Sequence, residues 1–319
     1  MKLVLPGGSG QVGTLLARAY HARGDDVVVL SRQATAPSSA HPWRTVAWDA
    51  ESRGPWAEEL DGADVVVNLA GRSVNCRYTQ ANRTAIKQSR VRSTRILGEV
   101  MASCARPPRL CLQSSTATIY AHRYDAPNDE AAGIIGGNEP GAPDTWNFSI
   151  DVATSWEAAA DAVPLPRTRL VKLRSAMVMS PDRDGIFDTL LTLVRRGLGG
   201  TSGDGRQFIS WIHEVDFIAA LDWIIARDHL RGPINIAAPN PLPNADFMRA
   251  LRRAWGMPIG LPAMEWMLEI GAIAMQTETE LVLKSRRVVP GTLLADGFRF
   301  VQPTWPEAAA ELCARRRRA

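Results

Sequence analysis

Leu3-Val-Leu-Pro-Gly-Gly-Ser-Gly-Gln-Val-Gly13 carries three apolar residues, then glycines at the spacing Gly7-x-x-Gly10-x-x-Gly13. Leu3 to Leu5 reads as a short buried strand. A helical stretch runs from about Gln11 to Arg23, with Leu15, Leu16 and Ala19 on one face. Glycines between a strand and a helix permit a tight turn and let backbone approach a pyrophosphate, while the helix N-terminus offers amide donors and a favourable dipole. Such a run is weak evidence alone, and a plain glycine turn is the competing reading. Flanked by a strand and a helix in the first unit of the chain, it points to a dinucleotide site made by Gly7, Gly10, Gln11, Val12 and Gly13.

Working outward, Val27 to Leu30, Thr45 to Trp48, Val65 to Leu69, Leu110 to Gln113 and Arg169 to Met177 read as further strands. Their β-branched runs are continuous rather than alternating, as suits strands buried on both faces of a parallel sheet. Helical stretches lie between them, notably Ala81 to Cys104 and Ser149 to Ala162. The fold expected is α/β, a doubly wound parallel sheet of Rossmann type. Residues 1–165 would form the nucleotide-binding domain. Residues 166–319 would supply the remainder of the sheet, interleaved with a smaller substrate domain. Tyr124 to Asn147, rich in Gly, Pro, Asp and Asn, reads as a long loop over the active-site mouth.

Strand ends select the cofactor. After the second strand the chain places Ser31-Arg32 where an acid would bind the ribose hydroxyls of NAD. A hydroxyl and a guanidinium suit a 2′-phosphate, so NADP is expected. Asp49, after the third strand, is placed near the adenine amino group. Leu69, Ala70 and Gly71, after the fourth, form a small-residue bend against which the cofactor can lie.

The 319 residues are 45% hydrophobic and 22% charged, a globular composition. Four cysteines without metal-like spacing read as reduced thiols, and no metal site is expected. Net charge is +4; four of the basic residues are lysines and 33 are arginines. The one basic run, Arg315 to Arg318, reads as a frayed, solvated tail, and no aromatic residues interleave with it, so no nucleic-acid partner is expected. The opening apolar run is too short for a signal peptide. Leu261 to Met275 is interrupted by Glu265 and Glu269 and is too short for a bilayer span. A cytoplasmic protein with a small-molecule substrate and no membrane partner is expected.

The chain resembles the extended, epimerase/dehydratase-type branch of the short-chain dehydrogenase/reductases. Ser114-Ser115-Thr116-Ala117-Thr118-Ile119-Tyr120 looks like the stretch that carries the catalytic Ser/Thr of sugar-nucleotide epimerases, with Thr116 at the matching position; Ser114 is counted with the cofactor site. More narrowly, Gln88-Ser-Arg-Val-Arg-Ser-Thr-Arg95, Ser155-Trp-Glu157, Trp211-Ile-His-Glu-Val-Asp216, Gly232-Pro-Ile-Asn-Ile-Ala-Ala-Pro-Asn240 and Arg286-Arg-Val-Val-Pro290 look like an atypical subfamily, often labelled nucleoside-diphosphate-sugar epimerase or cell-division inhibitor. The resemblance runs from residue 3 to about 312.

Most of that superfamily uses a Tyr-x-x-x-Lys pair, the tyrosine moving the proton and the lysine lowering its pKa. This chain has no such pair. The residues four beyond Tyr20, Tyr78, Tyr120 and Tyr124 are Gly24, Asn82, Tyr124 and Asn128, and the helix ending in Trp156-Glu157 offers Phe148/Val152 or Ser149/Ala153 instead. Thr116 can hydrogen-bond a substrate oxygen, and Tyr124 or His122 in the following loop is the candidate acid. Tyr120 reads as an aromatic wedge and His213 as a structural hinge. Arg90 on the long helix is a candidate to point into the cleft.

Three readings follow. The first is an NADP(H)-dependent oxidoreductase with a non-standard acid/base set, acting on a small polar carbonyl or alkene. The second is a catalytically silent NADP(H)-binding regulatory or interaction protein. The third is a sugar-nucleotide epimerase or dehydratase, the reaction that leans hardest on the missing tyrosine. Relatives of this type are often dimers, so a homodimer is compatible with the resemblance.

Overall fold

Val27 and Val29 pack into one core, while Val28 and Leu30 pack into another on the opposite side of the chain. Leu3 and Leu5 part from Val4 in the same way, as do Val65 and Val67 from Val66. A strand with period-two side chains that is apolar at every position must be covered on both faces. The computed structural model, which describes residues 1–39, 41–137, 139–263 and 280–318, provides that cover.

In chain order the strands are β1 (Lys2–Pro6), β2 (Asp26–Ser31), β3 (Arg44–Ala47), β4 (Val65–Asn68), β5 (Leu110–Thr116), β6 (Arg169–Ser175), β7 (Met177–Met179), β8 (Phe208–Ile209), β9 (Trp211–His213), β10 (Gly232–Ile236) and β11 (Leu242–Pro243). The helices are α1 (Gln11–His21), α2 (Gln80–Ser103), α3 (Asp144–Asp161), α4 (Ile186–Arg195), α5 (Glu214–Ile225), α6 (Asn244–Trp255), α7 (Glu280–Leu283), α8 (Gly291–Ala295) and α9 (Trp305–Arg318).

Seven strands form one sheet, parallel throughout, in the order β10-β6-β5-β4-β1-β2-β3. This is the doubly wound Rossmann architecture expected. Tyr20 of α1 and Phe217, Leu221 and Ile224 of α5 cover one face. Leu97, Val100 and Met101 of α2 cover the other, with α3 packed beside α2. Strand order reverses between β1 and β4, and the crevice beyond their C-terminal ends is where a ligand of such a sheet binds. A third core, around Trp211, Phe247 and Trp305, joins α4, α6 and α9 beside the sheet.

Several boundaries differ from the sequence reading. Strand Arg169 to Met177 is broken at Ala176, whose amide bonds Ile236 O; Met177 then leaves the sheet to pair β7 with β9. Helix α3 begins at Asp144 rather than Ser149, because Pro143 pre-sets the entry and Asp144 places its charge in the first turn. The loop over the mouth therefore ends sooner than expected. Arg315 to Arg318 are not a frayed tail. They are the last turn of α9, docked by Arg315 to Glu214 at 2.6 Å, by Arg316 to Asp188 at 2.7 Å, and by Arg317 over the ring of Trp255. Of Leu261 to Met275, residues 264–275 lie outside the described residues. Among the described residues no helix is long and apolar enough to cross a membrane.

Candidate functional site

Gly7 leaves β1 with φ +73° and donates its amide to Leu30 O at 2.9 Å, tying the turn to β2. A Cβ on Gly7 would lie 2.7 Å from the Ala70 backbone, and one on Gly13 would lie 2.4 Å from Gly8. These two glycines let the turn, the end of β4 and the start of α1 nest together. Gly10 differs, since a Cβ there would meet only Gly7 O, at 4.0 Å. Its bare face is open. Gly10 is also the N-cap of α1, with no side-chain cap and no acid in the first turn. The first amides of the helix and the positive end of its dipole are thus left for an anion.

A cleft of about 1850 Å³ opens at this point. Gly7, Gly10, Ser31 and Arg32 line one part of it, and Asp49, Leu69, Ala70 and Gly71 another. The sequence reading thus grouped residues from three strand ends that the fold does bring together. Gln11, Val12, Gly13 and Ser114 are not on the cleft wall, and neither are the catalytic candidates Thr116, His122 and Tyr124. Gln11 turns toward Gly185, and its Nε2 is buried without a hydrogen-bond partner. Gly13 packs on Gly8.

Ser31 donates its hydroxyl to Ser9 at 3.3 Å, joining β2 to the glycine turn. Arg32 is exposed on the cleft wall and makes no hydrogen bond or ion pair with a described residue. Asp49 is more engaged than expected. It accepts the Ser52 hydroxyl and the amides of Ser52 and Glu51, and these bonds hold its pKa down, at about 2. The carboxylate first builds a turn and only then borders the cleft. Asn68 shapes the next bend, accepting the Ala70 amide at 3.1 Å while its Nδ2 donates to Gln113 and Thr94.

Arg90 does not line the cleft. It lies against Gly71 and over the ring of Trp156, and donates to Arg72 O and Ile86 O. No carboxylate faces it, and burial pulls its pKa to about 10.

At the end of β5, Thr116 Oγ1 accepts the Thr118 amide at 3.2 Å and caps a short 3-10 turn over Ala117–Ile119. The α3 face turned to that segment is the one carrying Ser149 and Ala153. Ala153 is fully buried against Ala117, Ile119 and Tyr120, and Ser149 donates to Glu280 at 3.1 Å. Phe148 and Val152 face α2 instead, packed with Tyr78 and Ile86. Ser149 and Ala153 therefore stand where a tyrosine and a lysine would meet the end of β5.

Tyr120 is buried, its hydroxyl accepting from Arg174 and donating to Asn235. Glu157 completes this network, bound by Arg174 and by Ser115. His213 caps α5 through Nδ1 and bonds Glu311, a structural role as read from sequence. His122 is half-buried, with its ring 4.6 Å from Trp146 and edge-on to Tyr124 at 5.0 Å. Burial and the nearby Lys284 and Arg286 charges hold its pKa below the ordinary imidazole value.

Sequence reasoning missed the segment that straps this loop. Lys284 Nζ donates to Thr118 O at 2.8 Å and Arg286 Nε to Thr118 Oγ1 at 3.0 Å. The Ser285 amide donates to His122 Nδ1 at 2.8 Å, Ser285 Oγ to Arg123 O, and Arg287 to Tyr124 O. The usable signal was the scarcity of lysine. Lys2, Lys87 and Lys172 each pair with a carboxylate, whereas Lys284 is buried and bonds a carbonyl.

An open glycine turn, an uncapped helix and three strand ends around one cleft define a nucleotide-binding Rossmann protein of the dehydrogenase type. The NAD dependent epimerase/dehydratase family matches residues 3–237, and a domain of unknown function, DUF1731, matches residues 265–312. The chain belongs to that epimerase/dehydratase family. It is similar to the epimerase family protein SDR39U1 of Bos taurus, 31% identical over 98% of this chain and 100% of the relative. It is also similar to the epimerase family protein YfhF of Bacillus subtilis, 27% identical over 99% of each. The crystal structure of human SDR39U1 (isoform 2) with NADPH superposes with a TM-score of 0.83 at 28% identity, covering 98% of this chain and 99% of that one.

Proposed function

We propose that the protein is an NADP(H)-dependent oxidoreductase acting on a small polar carbonyl or activated alkene. One observation carries the cofactor half: the end of β2 presents Ser31 and an unengaged Arg32 to the cleft, with no acid in the ribose-selecting place. The human relative solved with NADPH supports the same choice. The amides opening α1 and the bare face of Gly10 would hold the pyrophosphate, and Arg32 the 2′-phosphate in a fork. Leu69, Ala70 and Gly71 would lie along the cofactor. A bound nicotinamide would supply or accept the hydride at the substrate carbon. Thr116 would hydrogen-bond the substrate oxygen, and His122 or Tyr124 would serve it as the partner for its proton.

A second reading keeps the cofactor and drops the chemistry. What favours it is Ser149 and Ala153 in the place of the usual couple. Stereospecific hydride transfer to any substrate would end it.

Titration of the purified protein with NADPH and NADH, read by nucleotide fluorescence, tests the first reading. NADPH should bind about tenfold or more tightly than NADH, the worth of a charge-assisted pair. Equal affinity would remove the role of Arg32, and no binding of either would remove the cofactor itself.

A further inference from the structure

His122 lies just after the short turn that follows β5, and its geometry states its protonation. An amide that donates to Nδ1 requires a lone pair there, and the Ser285 amide does so at 2.8 Å. The proton of the neutral ring must then sit on Nε2. Nε2 makes no hydrogen bond to a described residue. The ring is also flanked by Trp146 and Tyr124, and Glu139 accepts the His122 backbone amide at 3.0 Å.

The residue next to Ser285 is Lys284. It is 1% exposed, and its ammonium is bound to Thr118 O, within the turn that Thr116 caps. One short segment, remote in sequence, thus holds both candidate groups: Lys284 and Arg286 grip the Thr116–Thr118 turn, and Ser285 grips His122.

We infer that residues 284–286 complete the site in place of the absent Tyr-x-x-x-Lys couple, with the Ser285 amide and the Lys284 charge holding His122 as a neutral imidazole that presents Nε2–H to the substrate oxygen. This rests on the oxidoreductase reading above and names how its oxygen partner is set. His122 is then an electrophile that donates a hydrogen bond as negative charge grows on oxygen; the proton that finally neutralises the oxygen comes from water. Neutral imidazoles do this work in other enzymes when a nearby positive field keeps them from protonating. Lys284 is a positioning residue: it acts through His122 and the Thr118 turn.

The charged and titratable groups facing His122 come from every side. Lys284 and Arg286 disfavour its protonation, whereas Glu139 and Asp204 favour it, and burial sides with the cations. Lys284 is itself held down, to about 8, by burial and Arg286, against the pull of Glu280 and Glu139.

The test needs no substrate. Long-range proton–nitrogen spectra of 15N-labelled full-length protein report the tautomer and titration of each histidine, with His122 identified by its loss in His122→Gln. The wild type should show Nε2–H with bare Nδ1, and a midpoint below the ordinary histidine value. Lys284→Gln should raise that midpoint by about half a unit or more, and Lys284→Arg, which keeps the charge, should not. An Nδ1–H tautomer, a midpoint indifferent to Lys284→Gln, or an equal rise in both variants would overturn the inference. NADPH titration of the same samples separates the two claims. Loss of nucleotide binding in the wild type defeats the oxidoreductase reading, whereas retained binding with an unmoved His122 defeats this one alone.

Discussion

Glu157→Gln should cost the protein more stability than any other single-atom change near the site. Glu157 accepts Ser115 Oγ at 2.6 Å and Arg174 Nε at 2.8 Å on one oxygen, and Arg174 Nη2 at 2.9 Å on the other. Arg174 also donates to the Tyr120 hydroxyl, which donates to Asn235. The two charged side chains are 9% and 10% exposed. Glutamine keeps the shape, but it faces a buried guanidinium with an amide and leaves that charge unpaired. Breaking one partner of a buried pair costs about 3–5 kcal/mol. In a chain of this length that lowers Tm by roughly 5–8 °C, from about 2 cal/mol/K of unfolding entropy per residue. Urea and thermal unfolding at neutral pH give the number. Adding Arg174→Met to Glu157→Gln should return part of the loss, because no charge is then stranded. Acid supplies an independent check. Burial works against the Glu157 carboxylate, but the bonds from Arg174 and Ser115 outweigh it and hold its pKa below the usual value. A depressed folded pKa gives stability that is present above the unfolded value, about 4.3, and lost as pH falls through the folded one. The gap between wild type and Glu157→Gln should therefore close in acid. A loss under about 1 kcal/mol at pH 7, or a gap of equal size at both pH values, would refute the reasoning.

Four further variants have expected outcomes. Arg32→Ala should weaken NADPH binding about 10- to 150-fold, the equivalent of 1.5–3 kcal/mol for a bond to a charged group, and leave NADH unchanged; parallel losses would show that Arg32 does not read the phosphate. Gly13→Ala should destabilise by about 1–3 kcal/mol, because its Cβ would press on Gly8 backbone 2.4 Å away. Gly10→Ala should leave the unfolding midpoint unchanged and still weaken nucleotide binding, since its Cβ enters open cleft; the reverse pattern in the two variants would break the division of roles. Thr116→Ala should abolish turnover on whatever substrate is found while NADPH binding survives, and a fully active variant would remove Thr116 from the chemistry.

How far the sequence could be read follows from how local each signal is. β1, the glycine turn and α1 are contiguous, and their apolar pattern and glycine spacing are set within eleven residues. Ser31, Asp49 and Gly71 line one cleft because a parallel sheet puts every strand's C-terminal end on one edge, so topology brings distant sequence together. The same local rules failed where a distant partner decides. Nothing near Arg315 shows that Glu214 and Asp188 await it. Nothing near Asp49 distinguishes a carboxylate that points at a ligand from one that caps its own turn, until Ser52 is seen bonding it.

The central case is His122. From sequence it was a candidate acid in the loop after β5; its tautomer could not be read there, because it is set by an amide 163 residues away. The superfamily pattern places its lysine four residues beyond a tyrosine, and no tyrosine of this chain has one there. The fold has no reason to honour that spacing. A cation beside the end of β5 can be delivered by any segment that packs there, and the chain delivers it from residue 284, onto the Thr118 carbonyl. The emptied positions fit this substitution. Ala153 leaves space that Ala117, Ile119 and Tyr120 fill with apolar contact, and Ser149 turns to Glu280, at the start of the same strap. Burial disfavours the charge of Lys284, and the Thr118 carbonyl with the Glu280 and Glu139 carboxylates offsets part of that cost. The contacts of Lys284 and Ser285 with Thr118 and His122 are the observations on which the proposal of a site with changed chemistry rests.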